Sequence, residues 1–482
     1  MAAAVNNQLH AREVSEALNE VRFSGFHLRT IITAGMGFFT SAYDLTVIGT
    51  ALTLAAPAWQ KSFLAHNPLG GAEFGWLMSL VASVSLAATF IGAMAFGSIA
   101  DKLGRKSVYG IEAVLMTIGA IGSAFALGPI SMIVWRTIMG FGIGGDYPLS
   151  GTIMAEYANR QNRGKMVGMV FSCQALGFLC GPIVVMTLLA AGVSDAMTWR
   201  IALGLGALPA LGVIILRRTM PESPRWLARA KGQGQSAAAA LTRYSDGVTS
   251  AAGNDKVVKE PLRKYALTLL GTAGCWFVFD YAYYGNTIGM PTIINKVAPH
   301  GTLLSAIAWN VLIFGIFAVP GYILAFMTVD KLGRKAMQMM GFALMGLMFL
   351  VLGAVPSVTQ NATAFVTVFG LSYFFAEFGP NVTTYVLASE LFPVNLRGTC
   401  FGISAGVAKI GAFLGVLFLN PILAKLGFSG GMYISFGMSI VGLVLTAICI
   451  KEPKGKSLEE AGMESNWVAP EPVRQSQVPV GV

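Results

Sequence analysis

The chain has 482 residues, 55% of them apolar and 12% charged, whereas a soluble domain carries about 25% charged residues. That composition excludes an ordinary soluble protein. The formal charge of +10 needs no nucleic-acid partner if it sits on loops beside anionic lipid. The five cysteines, Cys173, Cys180, Cys275, Cys400 and Cys449, lie within apolar runs and have neither metal-ligand nor disulfide-framework spacing.

In chain order, residues 1–29 are polar, lack an apolar core, and so predict no cleavable signal peptide. Twelve apolar runs follow, at 30–57, 74–99, 107–126, 128–155, 165–191, 199–216, 265–290, 303–327, 336–354, 362–388, 398–422 and 429–450. Each is about long enough to cross a bilayer, and none alternates with period two, so the expected fold is all-α with twelve transmembrane helices. The first run carries Asp44, the third Glu112, the fourth Arg136, Asp146 and Tyr147, and the fifth Gln174. The seventh carries Trp276, Asp280 and Tyr284, the tenth Glu377 and Asn381, and the eleventh Lys409.

Most of the 33 Lys and Arg fall on segments that share a side with the N-terminus, while only Lys61, Arg200, Lys296 and Lys425 fall opposite. Positive-inside bias therefore predicts both termini in the cytoplasm and a multi-pass protein of the cell (plasma or inner) membrane. Residues 217–264 form the longest loop. They divide a first bundle, 30–216, from a second, 265–450, with a polar tail at 451–482.

The halves repeat. DKLGRK occurs at 101–106 and again at 330–335, and Glu156 with Arg163 recurs as Glu390 with Arg397. Asp146 and Gln174 are spaced as Asn381 and Lys409 are. Two pseudo-symmetric six-helix bundles with polar residues at matched depths describe a carrier that rocks around a midplane site.

The GSIADKLGRK loop, the run from Arg136 to Gly142 and PESPRW from Pro221 resemble signatures of major facilitator superfamily transporters. GGDYPLSGTIMAEYANR, the Trp276/Asp280/Tyr284 spacing, NVTTYVLASELFPVNLRGTC and KGKSLEE resemble the phosphate:proton symporters of that superfamily. The likeness covers residues 25–460, with one departure, Gly151 where alanine is usual. It implies that Tyr147, Gln174, Trp276, Asp280, Tyr284, Asn381 and Lys409 hold substrate, and that Asp44 and Asp146 couple protons with Arg136 tuning them.

The residues themselves support a site. Trp276, Asp280 and Tyr284 at i, i+4 and i+8 share one helical stripe. An intramembrane acid costs about 2.5–3.5 kcal/mol or more and by default marks a pathway. Lys409 needs an anion, either Asp280 permanently or Asp280 and a bound anion in turn. Dihydrogen phosphate offers negative charge, acceptor oxygens and hydroxyl donors for a carboxylate, whereas sulfate has no proton to give Asp280. Asp44 and Arg136 are also readable as a fixed ion pair, and the roles of Glu112 and Glu377 stay open.

At the cytoplasmic ends, Asp101 with Arg105, Asp330 with Arg334, Glu156 with Arg163, Glu222 with Arg225, and Glu390 with Arg397 are expected to pair as a gate. Phe326 in the second copy, where the first has Gly97, predicts a weaker contribution from that loop. No Walker loop, metal cluster or nucleophile–base pair occurs, so neither an enzyme nor a cofactor is expected. The expected partners are inorganic phosphate, protons and lipid, with a monomer as the working unit. The rival readings are a same-fold carrier for an organic anion or a sugar, and a phosphate receptor that signals without net transport.

Overall fold

In hydrocarbon, every backbone N–H and C=O must find its partner within the protein. The chain meets this demand with helices, and no strand occurs among the described residues, which in this computed structural model are 13–67, 70–244, 251, 255–288, 290, 293 and 302–467. A short helix, α1 (Val14–Glu20), lies on the face that carries the basic loops. The first six long helices are α2 (Gly25–His66), α3 (Gly71–Leu103), α4 (Arg105–Ala124), α5 (Pro129–Tyr157), α6 (Arg163–Ala190) and α7 (Asp195–Arg218). The second six are α8 (Ala266–Ile288), α9 (Leu303–Leu332), α10 (Arg334–Ala354), α11 (Ala362–Glu390), α12 (Arg397–Lys425) and α13 (Gly427–Cys449). A last turn, α14 (Leu458–Ala461), returns to the basic face.

Ten of the twelve are long and apolar enough to cross a membrane; the other two, α5 and α8, carry Asp146 and Asp280 in place of apolar residues. Glycine lets the helices meet backbone to backbone. A Cβ on Gly140 or Gly144 of α5 would lie 2.1 Å from the Ser85 carbonyl or 2.3 Å from that of Thr89, on α3. Matching contacts join the halves: Gly97 of α3 and Gly402 of α12 would each put a Cβ 2.3 Å from the other helix's backbone.

Among the described residues, five helices break their regular pitch: α4 at Tyr109 and Gly110, α7 at Gly206, and three others. Near Cys173, α6 divides into Arg163–Ser172 and Gln174–Ala190. In α9 a π turn, Phe314–Ala318, precedes Pro320. In α11 a π turn spans Glu377–Asn381, with Pro380 inside it and Gly379 at φ −107°, ψ −108°. Proline has no N–H for the ladder and its ring crowds the carbonyl one turn back, so the helix widens there. The expected linker begins at residue 217, but α7 continues to Arg218 and Arg217 is fully buried within it.

Candidate functional site

Lys409 on α12 stands at the middle of the fold and is 1% exposed. Its ammonium donates to Asp280 Oδ2 at 2.8 Å and to the Tyr284 hydroxyl at 3.2 Å, both on α8. It also lies 4.6 Å from the ring centre of Tyr147 and 4.3 Å from that of Tyr284, where the negative ring faces attract a cation. Trp276, one turn before Asp280, packs its ring 5.9 Å from that of Tyr147. The predicted stripe and the α5 tyrosine therefore converge on the one buried lysine among the described residues.

The two remaining expected ligands sit at helix breaks. Asn381 closes the π turn of α11 and bonds the Tyr322 hydroxyl at 2.8 Å and the Glu377 carboxylate. Glu377 in turn accepts from Tyr283, the neighbour of Tyr284, at 2.6 Å. Gln174 follows the break in α6, is 3% exposed, and its side-chain nitrogen finds no protein acceptor. An unsatisfied buried amide donor is costly on its own and suits a ligand that brings acceptors.

Asp44 binds Arg136, whose other nitrogen bonds Ser85 at 3.2 Å. Arg136 does not reach Asp146. That acid pairs with Arg217 at 2.7 Å and accepts from Ser150 at 2.8 Å, while its Oδ2 has no partner. Arg217 also bonds Glu112 at 2.6 Å, so one cation serves two buried acids. Gly37 of α2 makes room, since a Cβ there would lie 2.1 Å from Asp146 Oδ2. Sequence reading missed Arg217 because it sits at the expected end of a span, where arginines usually meet solvent.

The basic face is shut by ion pairs, but three of the expected pairings are wrong. Glu156 accepts from Arg105 at 2.8 Å and from Arg397 at 2.9 Å, not from Arg163. Glu390 accepts from Arg163 at 2.9 Å and Arg334 at 2.8 Å, not from Arg397. The arginines are exchanged between halves, because the start of α12 packs on the end of α3 and the start of α6 on the end of α9. Glu222 accepts from the backbone N–H of Arg105 and Lys106, both at 3.1 Å, while Arg225 pairs with Glu459 at 2.9 Å. Burial is the largest single influence and opposes the charge of Glu459, but Arg225, Arg229 and the hydrogen bonds to that carboxyl together outweigh it and hold it below the ordinary range. Asp101–Arg105 and Asp330–Arg334 form as expected, at 3.1 and 2.7 Å.

Each aspartate also ties its half to the other. Asp101 accepts from the N–H of Gly398 at 3.0 Å and Thr399 at 2.6 Å. Asp330 accepts from Gly164 at 3.1 Å and Lys165 at 2.7 Å. A carboxylate at a helix N-terminus satisfies free N–H groups and meets the positive end of the dipole. The second loop makes the same set as the first, so Phe326 does not weaken it. Its β-carbon lies 3.2 Å from where a Cβ on Gly168 would stand, so that glycine leaves room for the close approach of α9 at Phe326.

Between gate and site lies an aromatic layer that sequence reading did not single out. Tyr385 has ring centres of Phe171 at 4.5 Å, Phe38 at 5.1 Å, Phe401 at 5.2 Å and Trp276 at 6.2 Å. Gly151 admits it: a Cβ there would lie 2.6 Å from Phe401 and 2.9 Å from the Tyr385 hydroxyl. The departure from alanine thus serves the contact between the halves.

Known proteins were compared with this arrangement. A model of the family described as Sugar (and other) transporter matches residues 30–464. A protein of Arabidopsis thaliana named "Probable inorganic phosphate transporter 1-6" is 35% identical, with 96% of this chain and 98% of that protein covered. "Low affinity inorganic phosphate transporter 3" of Petunia hybrida is also 35% identical, over 94% of this chain and 95% of its own. Among solved structures, the major facilitator superfamily proton:xylose symporter XylE bound to 6-bromo-6-deoxy-D-glucose superposes with a TM-score of 0.76 at 21% identity, covering 91% of this chain and 98% of its own. The human organic anion transporter MFSD10 (TETRAN) superposes with a TM-score of 0.66 at 18% identity, covering 87% and 99%. At those identities the structures speak for the fold alone.

Proposed function

Since the chain belongs to the sugar (and other) transporter family of the major facilitator superfamily, and is a membrane transporter and not an enzyme, we propose that it is a proton-coupled symporter that imports inorganic phosphate by alternating access. The observation that carries this reading is the buried Lys409–Asp280 pair, ringed by Tyr147, Trp276 and Tyr284. Full-length relatives named as phosphate transporters support it.

A permanent lysine–aspartate pair has no net charge and no need of three polar aromatics. An arriving dihydrogen phosphate gives Lys409 a second anion and offers its own hydroxyl to Asp280, so one pair serves both closed and loaded states. Tyr147, Gln174, Trp276, Tyr284 and Asn381 are the donors for the remaining oxygens. Sulfate presents no proton to Asp280 and meets it as a like charge. Protons cross by way of Asp44 with Arg136, and of Asp146 with Arg217 and Glu112. In the second cluster one cation faces two acids, which leaves room for a proton that the free Asp146 Oδ2 can hold. Residues 30–216 and 265–450 act as the two rocking bundles, and the 217–264 loop and 451–482 tail join the gate. The basic face is cytoplasmic, with both termini, in the cell membrane, and a monomer suffices for the cycle.

Proteoliposomes with an acidic exterior test this reading. Labelled phosphate should accumulate, unlabelled phosphate should compete, and sulfate, glucose and a dicarboxylate should not. Asp280→Asn and Lys409→Ala should each abolish accumulation. Wild-type uptake in both variants would overturn the site, and competition by glucose or a dicarboxylate would favour a same-fold carrier of sugar or organic anions. Binding of labelled phosphate without accumulation would favour a receptor.

A further inference from the structure

The intramembrane acids differ in one respect. Asp44 faces Arg136, Asp146 and Glu112 face Arg217, and Asp280 faces Lys409. Glu377, fully buried in the π turn of α11, has no cation within 4.0 Å among the described residues. A cation holds a carboxylate in its charged form, and without one the charge is free to change.

The surroundings of Glu377 are polar but neutral. From α8, Tyr283 donates to one oxygen at 2.6 Å. From α9, the Tyr322 hydroxyl stands beside the carboxylate, and Gly321 lets that helix approach, since a Cβ there would lie 3.0 Å from Glu377 Cβ. On α11 itself, Asn381 donates to the other oxygen and Tyr373 lies one turn earlier. From α10, Gly341 packs on Gly379 and Pro380, and Gln338 is spent on Thr383 at 3.0 Å. Neutral donors stabilise the anion in part, while burial penalises it. The group is therefore poised.

Asn381 is the link to transport. While Glu377 is ionised, both its oxygens are acceptors, and they hold the amide nitrogen of Asn381. A proton on Glu377 turns one oxygen into a donor. The amide then satisfies it by presenting its carbonyl oxygen, to which the Tyr322 hydroxyl can also donate, and the N–H groups that Glu377 and Tyr322 held are released for an acceptor in the cavity. Charge acts in the same sense: an anion arriving at Asn381 meets a like charge on ionised Glu377 and none on the acid.

We propose that Glu377 is a proton-binding site of the second bundle, loaded as phosphate binds at Asn381 and emptied when the cavity opens to water. This rests on the phosphate reading above. It places one transported proton in the half opposite Asp44 and Asp146.

The test is labelled-phosphate counterflow with the full chain in proteoliposomes, from mildly acidic to mildly alkaline pH, comparing wild type with Glu377→Gln. Glutamine is neutral and carries a donor, so it mimics the loaded acid at every pH. Phosphate's own ionisation is common to both proteins and cancels in the comparison. One linked proton makes the wild-type half-saturation constant rise about tenfold more per alkaline pH unit than that of the variant. Parallel curves would overturn the proposal. A wild-type chain that exchanges no phosphate would overturn the phosphate reading, and this proposal with it.

A second readout does not depend on how well Glu377→Gln folds. Phosphate-induced infrared difference spectra of the wild-type chain should gain a protonated-carboxyl band, and Glu377→Asp should shift it. No such band, or one that Glu377→Asp leaves in place, counts against the proposal.

Discussion

Replacing Glu156 by glutamine tests the exchanged ion pairs directly. In the closed conformation the Glu156 carboxylate takes two bonds from Arg105, at 2.8 and 3.2 Å, and one from Arg397 at 2.9 Å. Arg105 keeps Asp101 at 3.1 Å, but Arg397 keeps the Phe392 carbonyl at 3.1 Å and no carboxylate within 4.0 Å among the described residues. Breaking a buried pair by removing one partner costs about 3–5 kcal/mol, because the other charge stays buried and unpaired. The lower end applies, since Arg105 retains a carboxylate. When the basic face opens, Glu156 and Arg397 part and hydrate, so the substitution costs little there. The difference of about 3 kcal/mol moves the closed-to-open equilibrium roughly a hundredfold toward opening. Spin labels at the exposed Lys102 and Lys331, in the last turns of α3 and α9, read this as a longer component in the distance distribution. Glu390→Gln should give the same shift, since Arg163 is orphaned there as Arg397 is here. An unchanged distance distribution in both variants would refute the assignment of these pairs as the lock.

Gly151→Ala places a methyl group within 2.6 Å of the Phe401 ring, and overpacking of about 1–3 kcal/mol falls on the closed state, so the same label pair should again shift toward opening. Arg217→Gln leaves Glu112 and Asp146 without a cation; phosphate counterflow should persist while uphill accumulation driven by a pH gradient is lost. Lys409→Ala and Asp280→Asn each leave one partner of a buried pair and should lower thermal stability. The double variant should recover most of that loss without recovering uptake, and equal additive losses would argue against a direct pair.

Much of the candidate site is legible in the sequence. Asp280 and Lys409 announce themselves because a charge in an apolar run must be met by an opposite charge or by water, and few candidates for either exist. Trp276 and Tyr284 follow from helical spacing. Arg217 was not legible, because an arginine one residue beyond an apolar run looks like any membrane-edge cation. Tyr385 and Phe401 were hidden for a different reason: aromatic residues within apolar spans carry no distinguishing sign until the other half packs Phe38 and Phe171 against Tyr385. Glu377 was visible as a buried acid, yet its lack of a cation is a statement about all of its neighbours at once.

Apolar length and the placement of basic loops determined a multi-helix membrane chain, since lipid leaves the backbone no other choice. The duplicated DKLGRK and Glu/Arg spacings determined that the two halves share one plan. Tertiary structure alone decided who pairs with whom. Residues with the same spacing within each half invite pairing along the chain, but the end of one helix in each half packs against the start of a helix in the other. Glu156 therefore meets Arg397 and Glu390 meets Arg163, and a local pattern in sequence becomes a lock across the molecule.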